Sequence, residues 1–372
     1  MDTLKTDDWK STIPADVLDE ARELIRGAEV LPEGLKGLAQ RIQLARLEKR
    51  PLRVKLGVDP TSTDLHLGHA VVFRKLLRFQ EFGHQVVLII GGFTARIGDP
   101  TGRIETRPVL TEEQVNANAK TYLDQMALII DIEKTEVVNN ADWLAPLNLE
   151  QLLKLAGSVT VNQLLAKEAF GDRVEKGLPL GLHEVFYPLL QGYDSVAMDV
   201  DLELGGRDQT FNMLTGRTLM KVMKGKEKFV MTTPLLSDSK GIKIGKSEGN
   251  IIGLTDEPSD FFGKIMSLGD DAIIPMFDLL TDVAKEEIES FNLEKDAMSL
   301  KKRVAKIILS ELHSREEAEK AEESWENTFQ KNEIPKDLES VRVKEGTLLV
   351  DVFLLQKLVT SRTDFRRLGR DD

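Results

Sequence analysis

The sequence predicts an α/β fold with a parallel sheet, followed by an all-helical region. Two apolar runs, residues 53–58 and 86–90, have the length of strands, and the amphipathic segment 68–83 between them has helical periodicity. Residues 86–90 are apolar throughout, which is typical of a buried parallel strand. A strand, a crossover helix and a second strand form a right-handed βαβ unit. The length of 372 residues allows two domains.

The other elements before residue 253 follow from the same two periodicities. Further strands are predicted at residues 135–138, 201–204 and 229–231. The N-terminal segment to Lys49 has a helical pattern, with Gly27 as a stop after its first helix. Further helices are predicted at residues 111–130, 149–169, 185–193 and 209–223. We expect the helix at 149–169 to be an insertion between the two halves of the sheet.

After residue 253 the sequence predicts helices alone. They are expected at residues 258–268, 271–280, 285–291, 299–312 and 315–329. We therefore expect a domain boundary near residue 253, with α/β structure before it and all-α structure after it.

Composition excludes several classes of function. The chain has no Cys, so disulfides, thiolate zinc sites and cysteine nucleophiles are ruled out, as suits a reducing cytosol. The N-terminus is polar and acidic, unlike a signal peptide, and residues 86–90 are too few to span a bilayer. We expect a soluble, cytoplasmic protein with no membrane association.

The net charge of −12 leaves RNA binding open, because a sequence-blind nucleic-acid binder is usually basic. Any RNA contact would need local basic patches, although each is equally compatible with a solvated surface. The candidate patches are Lys221, Lys224, Lys226 and Lys228, and Arg362, Arg366, Arg367 and Arg370.

The first motif is the segment 59–69, which follows a predicted strand and opens a helix. A helix N-terminus offers unpaired N–H groups to a phosphate, and Gly68 allows a nucleotide to approach the backbone. His66 and His69 can donate to phosphate oxygens as charge develops on them. A metal-binding pair and two packed histidines remain alternatives.

The second motif is a glycine- and lysine-rich loop after the last predicted strand. Lys240, Lys243 and Lys246 lie in it, followed by Ser247. Lysines on a flexible loop can close over a triphosphate and neutralise its charge. Taken alone, the loop favours the interpretation as a solvated turn.

Together these motifs resemble the two signatures of class I aminoacyl-tRNA synthetases, His-Ile-Gly-His and Lys-Met-Ser-Lys-Ser. Further segments resemble the tyrosyl-tRNA synthetases of bacterial type in order and spacing. These are residues 57–61, 91–92, 98–102, 161–162, 187–194 and 205–209. The resemblance covers about residues 1–330.

The resemblance implies the following organisation. Residues 1–252 would form a Rossmann-like nucleotide-binding parallel sheet with a dimer-forming helical insertion at about 140–190. Residues 253–331 would form an all-helical anticodon-stem-side domain. Residues 332–372 would be a linker and the start of a truncated C-terminal RNA-binding domain. The family works as a homodimer.

The resemblance also implies the reaction of a tyrosine–tRNA ligase. L-tyrosine is activated with ATP to tyrosyl-adenylate, and tyrosine is then transferred to the 3′ end of tRNA(Tyr). Mg²⁺ would arrive with ATP, so no protein-bound metal site is expected. Neither step needs a protein nucleophile, and catalysis would rest on positioning and on charge stabilisation.

Site residues carried over from the family fall into three groups. The tyrosine-binding group is Lys55, Gly57, Asp59, Asp99, Tyr187, Gln191, Asp194 and Gln209. The ATP-binding group is Asp59, Thr61, His66, Gly68, His69, Asp208, Lys243, Lys246 and Ser247. Of these, His66, His69, Lys243 and Lys246 would be catalytic. Arg103 and Arg107 would assist activation or place the tRNA acceptor end.

Some residues have a second interpretation or depart from the family. Asp59 and Asp99 each precede a proline, where aspartate also serves turn geometry. Asp194 would accept from the substrate phenol, since a carboxylate within an apolar helix needs a partner. Lys55 replaces a tyrosine that usually makes the second phenol contact, although a lysine could still donate to the phenol oxygen. Arg207 stands where a serine or threonine is usual.

Three other functions share part of this pattern. A tryptophanyl-tRNA synthetase shares the fold, but residues 59–61 and 191–194 argue against it. A small-molecule nucleotidyltransferase shares the histidine motif but does not need the helical region after residue 253. An RNA-binding scaffold descended from a synthetase would have lost His66, Asp194 or Lys246, and all three are present.

Overall fold

The computed structural model describes residues 13–99, 110–237, 251–330, 341, 343–344 and 346–368. They divide into two compact units, one ending at Glu322 and the other beginning at Glu323. The first unit is built around one six-stranded sheet. None of the described helices is long and apolar enough to cross a membrane.

The sheet has the strand order β1-β6-β5-β2-β3-β4. Its strands are β1 Glu29–Leu31, β2 Arg53–Val58, β3 Gln85–Ile90, β4 Thr135–Asn139, β5 Leu202–Gly206 and β6 Phe229–Thr233. All neighbouring strands are parallel except β1, which pairs antiparallel with β6. The predicted α/β fold with a parallel sheet is confirmed.

The prediction that the N-terminal segment up to Lys49 is helical, with a stop at Gly27, is wrong at β1. This strand is only three residues long, and its pairing partners, from Glu29 with Thr232 to Leu31 with Val230, come from β6, its neighbour in the sheet but the last of the six strands in the sequence. Pairing with a distant strand decides its structure, and a local pattern carries no signal of such pairing.

Helices connect the strands and cover the sheet. Before β6 they are α1 Ala15–Ile25, α2 Gly34–Leu47, α3 Leu67–Glu81, α4 Thr94–Ile97, α5 Glu112–Met126, α6 Ala141–Leu144, α7 Leu149–Ala156, α8 Val161–Leu165, α9 Glu168–Glu175, α10 Leu182–Met198 and α11 Thr210–Lys224. A short 3₁₀ turn, Arg207–Gln209, lies between β5 and α11.

The single helix predicted at 149–169 is wrong, because three short helices occupy this stretch and its continuation. The chain leaves α7 at Gly157, and Thr160 then starts α8 by accepting a hydrogen bond from the Gln163 N–H. Side-chain caps of this kind satisfy N–H groups that a continuous helix would bond internally.

Helix α10 is longer than predicted and packs against α11. A Cβ at Gly192 would lie 3.0 Å from the Gly216 Cα, so only glycine allows this close approach of the two backbones. The approach sets the position of α10, which carries Tyr187, Gln191 and Asp194.

After residue 251 the described residues up to 330 contain helices and turns and no strand. The helices are α12 Pro258–Met266, α13 Ile273–Leu280, α14 Lys285–Glu289, α15 Leu293–Leu312 and α16 Arg315–Trp325, with a 3₁₀ turn at Asp270–Ala272 and a π turn at Glu326–Gln330. The second unit also contains α17 Leu349–Leu355 and α18 Arg362–Leu368. The functional boundaries near residues 253 and 332 stay predictions.

Candidate active site

The site lies where the strand order reverses. The chain continues from β2 to β3 and β4 on one side, while β5 and β6 lie on the other side of β2. In open α/β sheets, ligands bind at such a reversal, beyond the carboxyl ends of the strands. Asp59 follows β2, Gly91 follows β3 and Asp208 follows β5, so the predicted residues surround this crevice.

Asp194 is a buried carboxylate of the crevice, with 3% of its surface exposed. Its Oδ1 accepts from the Trp143 indole N–H at 2.9 Å, and its Oδ2 accepts from Asn140 Nδ2 at 3.3 Å. Burial raises the pKa of Asp194 to about 7, while the charge of Lys55 and the two hydrogen bonds oppose that rise. A buried carboxylate with fixed donors is suited to accept a hydrogen bond from a neutral hydroxyl.

Asp59 connects Asp194 to Tyr187 through a chain of hydrogen bonds. Asn140 Nδ2 donates to Thr94 Oγ1 at 2.9 Å, and Thr94 donates to Asp59 Oδ1 at 2.7 Å. The Tyr187 hydroxyl donates to Asp59 Oδ2 at 2.8 Å. Burial and the nearby carboxylates raise the pKa of Tyr187 well above its usual value, so this hydroxyl remains a donor.

Gly91 is required by the position of Asp59. A Cβ at Gly91 would lie 1.9 Å from Asp59 Oδ1, which no side chain could tolerate. Gly91 therefore allows the carboxylate to lie against the end of β3.

Three predicted tyrosine-binding residues lie on a second hydrogen-bonded chain: Asp99 and Gln191, which the family resemblance assigns to the α-ammonium of the amino acid, and Gln209. Gln209 Nε2 donates to Asp99 Oδ2 at 2.8 Å. Asn212 Nδ2 donates to the side-chain oxygens of both Gln191 and Gln209, each at 2.9 Å. Lys167 Nζ donates to Asn212 Oδ1 at 3.0 Å and lies 3.6 Å from Asp99.

Lys55 is completely buried, and its three N–H groups have protein partners. Nζ donates to the Gln191 backbone oxygen at 3.0 Å, to Ser195 Oγ at 3.3 Å and to Glu203 Oε1 at 2.8 Å. An ammonium has three donors and no acceptor, so this geometry leaves no N–H for a substrate phenol. Gly57, two residues on, is exposed at the crevice.

Glu203 forms a second ion pair with the completely buried Lys228. Burial alone would raise the pKa of Glu203, but the charges of Lys228 and Lys55 reverse that effect and hold it at about 2. Burial lowers the pKa of Lys228 to about 8, with Glu203 opposing. The suggestion that Lys228 belongs to an RNA-binding patch is wrong, because its ammonium faces the interior, whereas Lys221, Lys224 and Lys226 are exposed.

The phosphate side of the crevice is the N-terminus of α3. His66 Nδ1 accepts from the Gly68 N–H at 3.2 Å, and His69 Nδ1 accepts from the His66 N–H at 3.1 Å. Because each Nδ1 is an acceptor, each neutral ring carries its proton on Nε2. The helix start therefore combines backbone N–H groups, a positive dipole end and two imidazole donors, which favours a phosphate.

The segment after the lysine loop returns to this helix start. Leu67 N donates to the Ile252 oxygen at 2.9 Å, and Leu254 N donates to the Leu65 oxygen at 3.0 Å. The far end of the loop is thereby joined to the histidine motif. Lys243, Lys246, Ser247, Arg103 and Arg107 lie outside the described residues, so their roles stay predictions.

Two further predicted ATP-binding residues lie at the mouth of the crevice. The Thr61 N–H donates to the Asp59 backbone oxygen at 2.8 Å, which closes a turn after β2. Asp208 is exposed in the 3₁₀ turn after β5, and its predicted role in ATP binding stays a prediction. Nothing in the structure explains why an arginine stands at position 207.

Four site residues were missed in the sequence: Trp143, Asn140, Lys167 and Asn212. For Asn140 and Trp143 a signal exists, since an asparagine pair lies at the end of the third parallel strand, β4, and a tryptophan follows in the next helix. For Lys167 and Asn212 no signal exists, because ordinary helical patterns surround both residues.

A family model described as tRNA synthetases class I (W and Y) matches residues 47–330. This range contains every described residue of the crevice. Fold and site together therefore define a class I tRNA synthetase.

Curated relatives and solved structures agree with that class. The chain is 44% identical to a tyrosine–tRNA ligase of Carboxydothermus hydrogenoformans, over 94% of this chain and 86% of the relative. It is 45% identical to a tyrosine–tRNA ligase of Aquifex aeolicus, over 91% and 88%. The chain thus belongs to the tyrosine–tRNA ligase family of class I tRNA synthetases.

Similar solved structures support the fold. A C-terminally truncated mitochondrial tyrosyl-tRNA synthetase of Aspergillus nidulans superimposes with a TM-score of 0.70 at 20% identity, over 87% of this chain and 98% of that one. A tyrosyl-tRNA synthetase of Archaeoglobus fulgidus complexed with L-tyrosine gives a TM-score of 0.63 at 21% identity, over 82% and 100%.

Proposed function

We propose that this protein activates L-tyrosine with ATP and transfers the tyrosyl group to tRNA(Tyr), with its described crevice residues in the following roles. The observation that carries this proposal is the buried carboxylate of Asp194, held by Trp143 and Asn140 where the side chain of an amino acid would end. Phenylalanine in the same pocket would leave the carboxylate without a partner, which is costly in a buried site.

The reaction needs no protein nucleophile. A tyrosine carboxylate oxygen attacks the α-phosphorus of ATP, the bond to the bridging oxygen breaks, and pyrophosphate leaves with its electron pair. His66 and His69 donate from Nε2 to the phosphate oxygens on which charge develops. A 3′-terminal ribose hydroxyl of tRNA then attacks the tyrosyl carbonyl, and AMP leaves.

Tyrosine would lie across Gly57, with its phenol at Asp194 and its ammonium near Asp99, Tyr187 and Gln191. The Tyr187 oxygen has lone pairs left for the ammonium, because its proton is directed to Asp59. Magnesium would enter with ATP and be held mainly by phosphates and water.

We further propose that the protein is a cytoplasmic homodimer that uses the segment 140–190 as its interface. Several large apolar side chains of that segment are exposed: Leu149 70%, Leu153 62%, Val161 67% and Leu182 72%. Several exposed large apolar side chains on one insertion are typical of an interface. Sedimentation should give twice the 41.7 kDa chain mass, and a single chain mass would contradict the dimer.

The test of the activity is the exchange of labelled pyrophosphate into ATP with each of the twenty amino acids. Exchange with tyrosine alone is expected, followed by charging of tRNA(Tyr) in a second assay. Exchange with tryptophan would transfer the assignment to the sister family. No exchange with any amino acid, from folded protein, would overturn the proposal.

A further inference from the structure

The side-chain amides of Gln191 and Gln209 lie in the predicted tyrosine pocket, and buried groups behind them fix the orientation of both amides. Lys167 is buried, with 4% of its surface exposed, and lies over the Phe170 ring at 5.2 Å. Its Nζ donates to Asn212 Oδ1 at 3.0 Å. Because an ammonium donates only, it fixes which end of the Asn212 amide faces it.

Asn212 transmits this direction to both glutamines. Its Oδ1 is directed at Lys167, so its Nδ2 faces the crevice and donates to the Gln191 and Gln209 oxygens at 2.9 Å each. An amide nitrogen has two hydrogens, and both are used here. Neither glutamine can rotate by 180° without placing its own N–H₂ against that of Asn212.

Carboxylates close the chain at its far ends. Gln209 Nε2 donates to Asp99 at 2.8 Å, and Gln191 Nε2 lies 3.4 Å from Glu203 Oε1. The Glu203 carboxylate is in turn kept ionised by Lys55 and Lys228. The Lys167 ammonium can only donate and the carboxylates can only accept, so together they fix the donor and acceptor of each hydrogen bond between them.

We propose that Lys167 and Asn212 are positioning residues for the amino-acid ammonium: they hold Gln191, Gln209 and Asp99 in the orientation in which substrate binds. This proposal rests on the proposed tyrosine activation. The fixed Gln191 oxygen has a second lone pair for the substrate ammonium. The Asp99 carboxylate is held between Gln209 and Lys167 and cannot rotate away. Neither Lys167 nor Asn212 needs to touch the substrate.

Lys167 must stay charged for this role, since a neutral amine could accept as well as donate. Burial lowers the pKa of Lys167, and the nearby charge of Asp99 opposes that fall. The ion pair with Asp99, at 3.6 Å, favours the charged form of the Lys167 side chain.

The matched variant is Asn212→Asp, which keeps the volume and still accepts from Lys167 but has no N–H₂ for the glutamines. Lys167→Met removes the charge, and Lys167→Arg restores it. We expect Asn212→Asp and Lys167→Met to raise the KM for tyrosine about tenfold or more, because the first loses two amide–amide hydrogen bonds and the second loses one from a charged donor. The kcat, the KM for ATP and the tyrosine-to-phenylalanine ratio should stay within about twofold, and Lys167→Arg should recover part of the loss.

Two inhibitors separate positioning from direct contact. Tyramine keeps the ammonium and lacks the carboxylate, whereas 3-(4-hydroxyphenyl)propionate keeps the carboxylate and lacks the ammonium. In both damaging variants, inhibition by tyramine should weaken in parallel with the KM for tyrosine, while inhibition by the propionate stays unchanged. Equal weakening of both inhibitors would instead show a general collapse of the pocket or a contact of Lys167 with the substrate carboxylate, and would overturn the proposal.

The wild-type protein separates this proposal from the proposed function. If wild type shows no tyrosine-dependent exchange, the function itself fails. If wild type is active and folded Asn212→Asp has an unchanged KM for tyrosine, only the positioning role fails. Should Lys167→Met not fold, Asn212→Asp and Lys167→Arg carry the test.

Discussion

The amino-acid side and the phosphate side of the crevice hold charge in different ways. On the amino-acid side, Asp194, Glu203 and Lys55 are buried side chains on regular elements, and each has fixed partners. On the phosphate side, half-buried histidines cap a helix whose N-terminus supplies the positive potential. The difference teaches that recognition of one neutral hydroxyl needs a rigid buried acceptor, whereas phosphates of changing charge need donors at an accessible helix end.

The largest effect is expected at His66, on the phosphate side of the crevice. The change His66→Asn keeps a capping side chain but removes the imidazole Nε2–H, so we expect kcat for pyrophosphate exchange to fall about 100-fold or more. The KM for tyrosine should stay nearly constant, because the amino-acid side is untouched. His313, which caps the C-terminal end of α15, is the matched control, and His313→Asn should behave as wild type. An unchanged kcat in His66→Asn would contradict a catalytic role.

For Asp194→Asn we expect weaker use of tyrosine and an unchanged KM for ATP. Loss of a charge-assisted hydrogen bond costs about 1.5–3 kcal/mol, and the new amide N–H₂ faces the donors of Trp143 and Asn140. The kcat/KM for tyrosine should fall up to about 100-fold, while the KM for ATP stays constant. Asp124→Asn, at an exposed position, is the control. Equal losses for tyrosine and ATP would indicate misfolding of the whole crevice.

A smaller effect is expected for Tyr187→Phe, which removes the hydroxyl that donates to Asp59. We predict a rise in the KM for tyrosine of about fivefold, in the range of one neutral or charged hydrogen bond. The matched control is Tyr122→Phe. The Tyr122 hydroxyl lies 3.0 Å from Ser62 Oγ and is not part of the amino-acid pocket. If both variants raise the KM for tyrosine equally, the cause is a general loss of stability and not a loss of ammonium binding.

The smallest expected effect is a shift in pH dependence. Tyrosine binding requires ionised Asp194, whose burial raises its pKa to about 7, so the KM for tyrosine should rise as the pH falls through about 7. Removing the positive charge in Lys55→Met leaves Glu203 and Lys228 facing Asp194 and should move that midpoint to higher pH. The exposed Lys221→Met is the control. A midpoint that moves to lower pH would contradict this electrostatic role of Lys55.

Sequence patterns predicted most of the fold because its strands are short apolar runs separated by amphipathic helices. The pattern failed where distant pairing or capping decided the structure, as at Glu29–Leu31 and at Thr160. A three-residue edge strand has no periodicity of its own, and a cap within a helical pattern interrupts it without changing its composition.

The site was predictable to a different extent on its two sides. His66, His69 and Gly68 are adjacent in sequence, so the helix start was visible as a motif. The partners of the buried charges come from separate elements: Trp143 from α6 and Lys167 from the turn before α9. Sequence spacing does not show such convergence. The direction of the Lys55 side chain toward Glu203 likewise follows from packing and not from the pattern.

The central claim is that Asp194 reads the phenol hydroxyl of the amino acid. The most direct measurement is the binding of tyrosine and of phenylalanine, by titration calorimetry, to wild type and to Asp194→Asn. The account predicts strong preference for tyrosine in wild type and loss of most of that preference in the variant, with phenylalanine binding little changed. An undiminished preference for tyrosine in folded Asp194→Asn would contradict it.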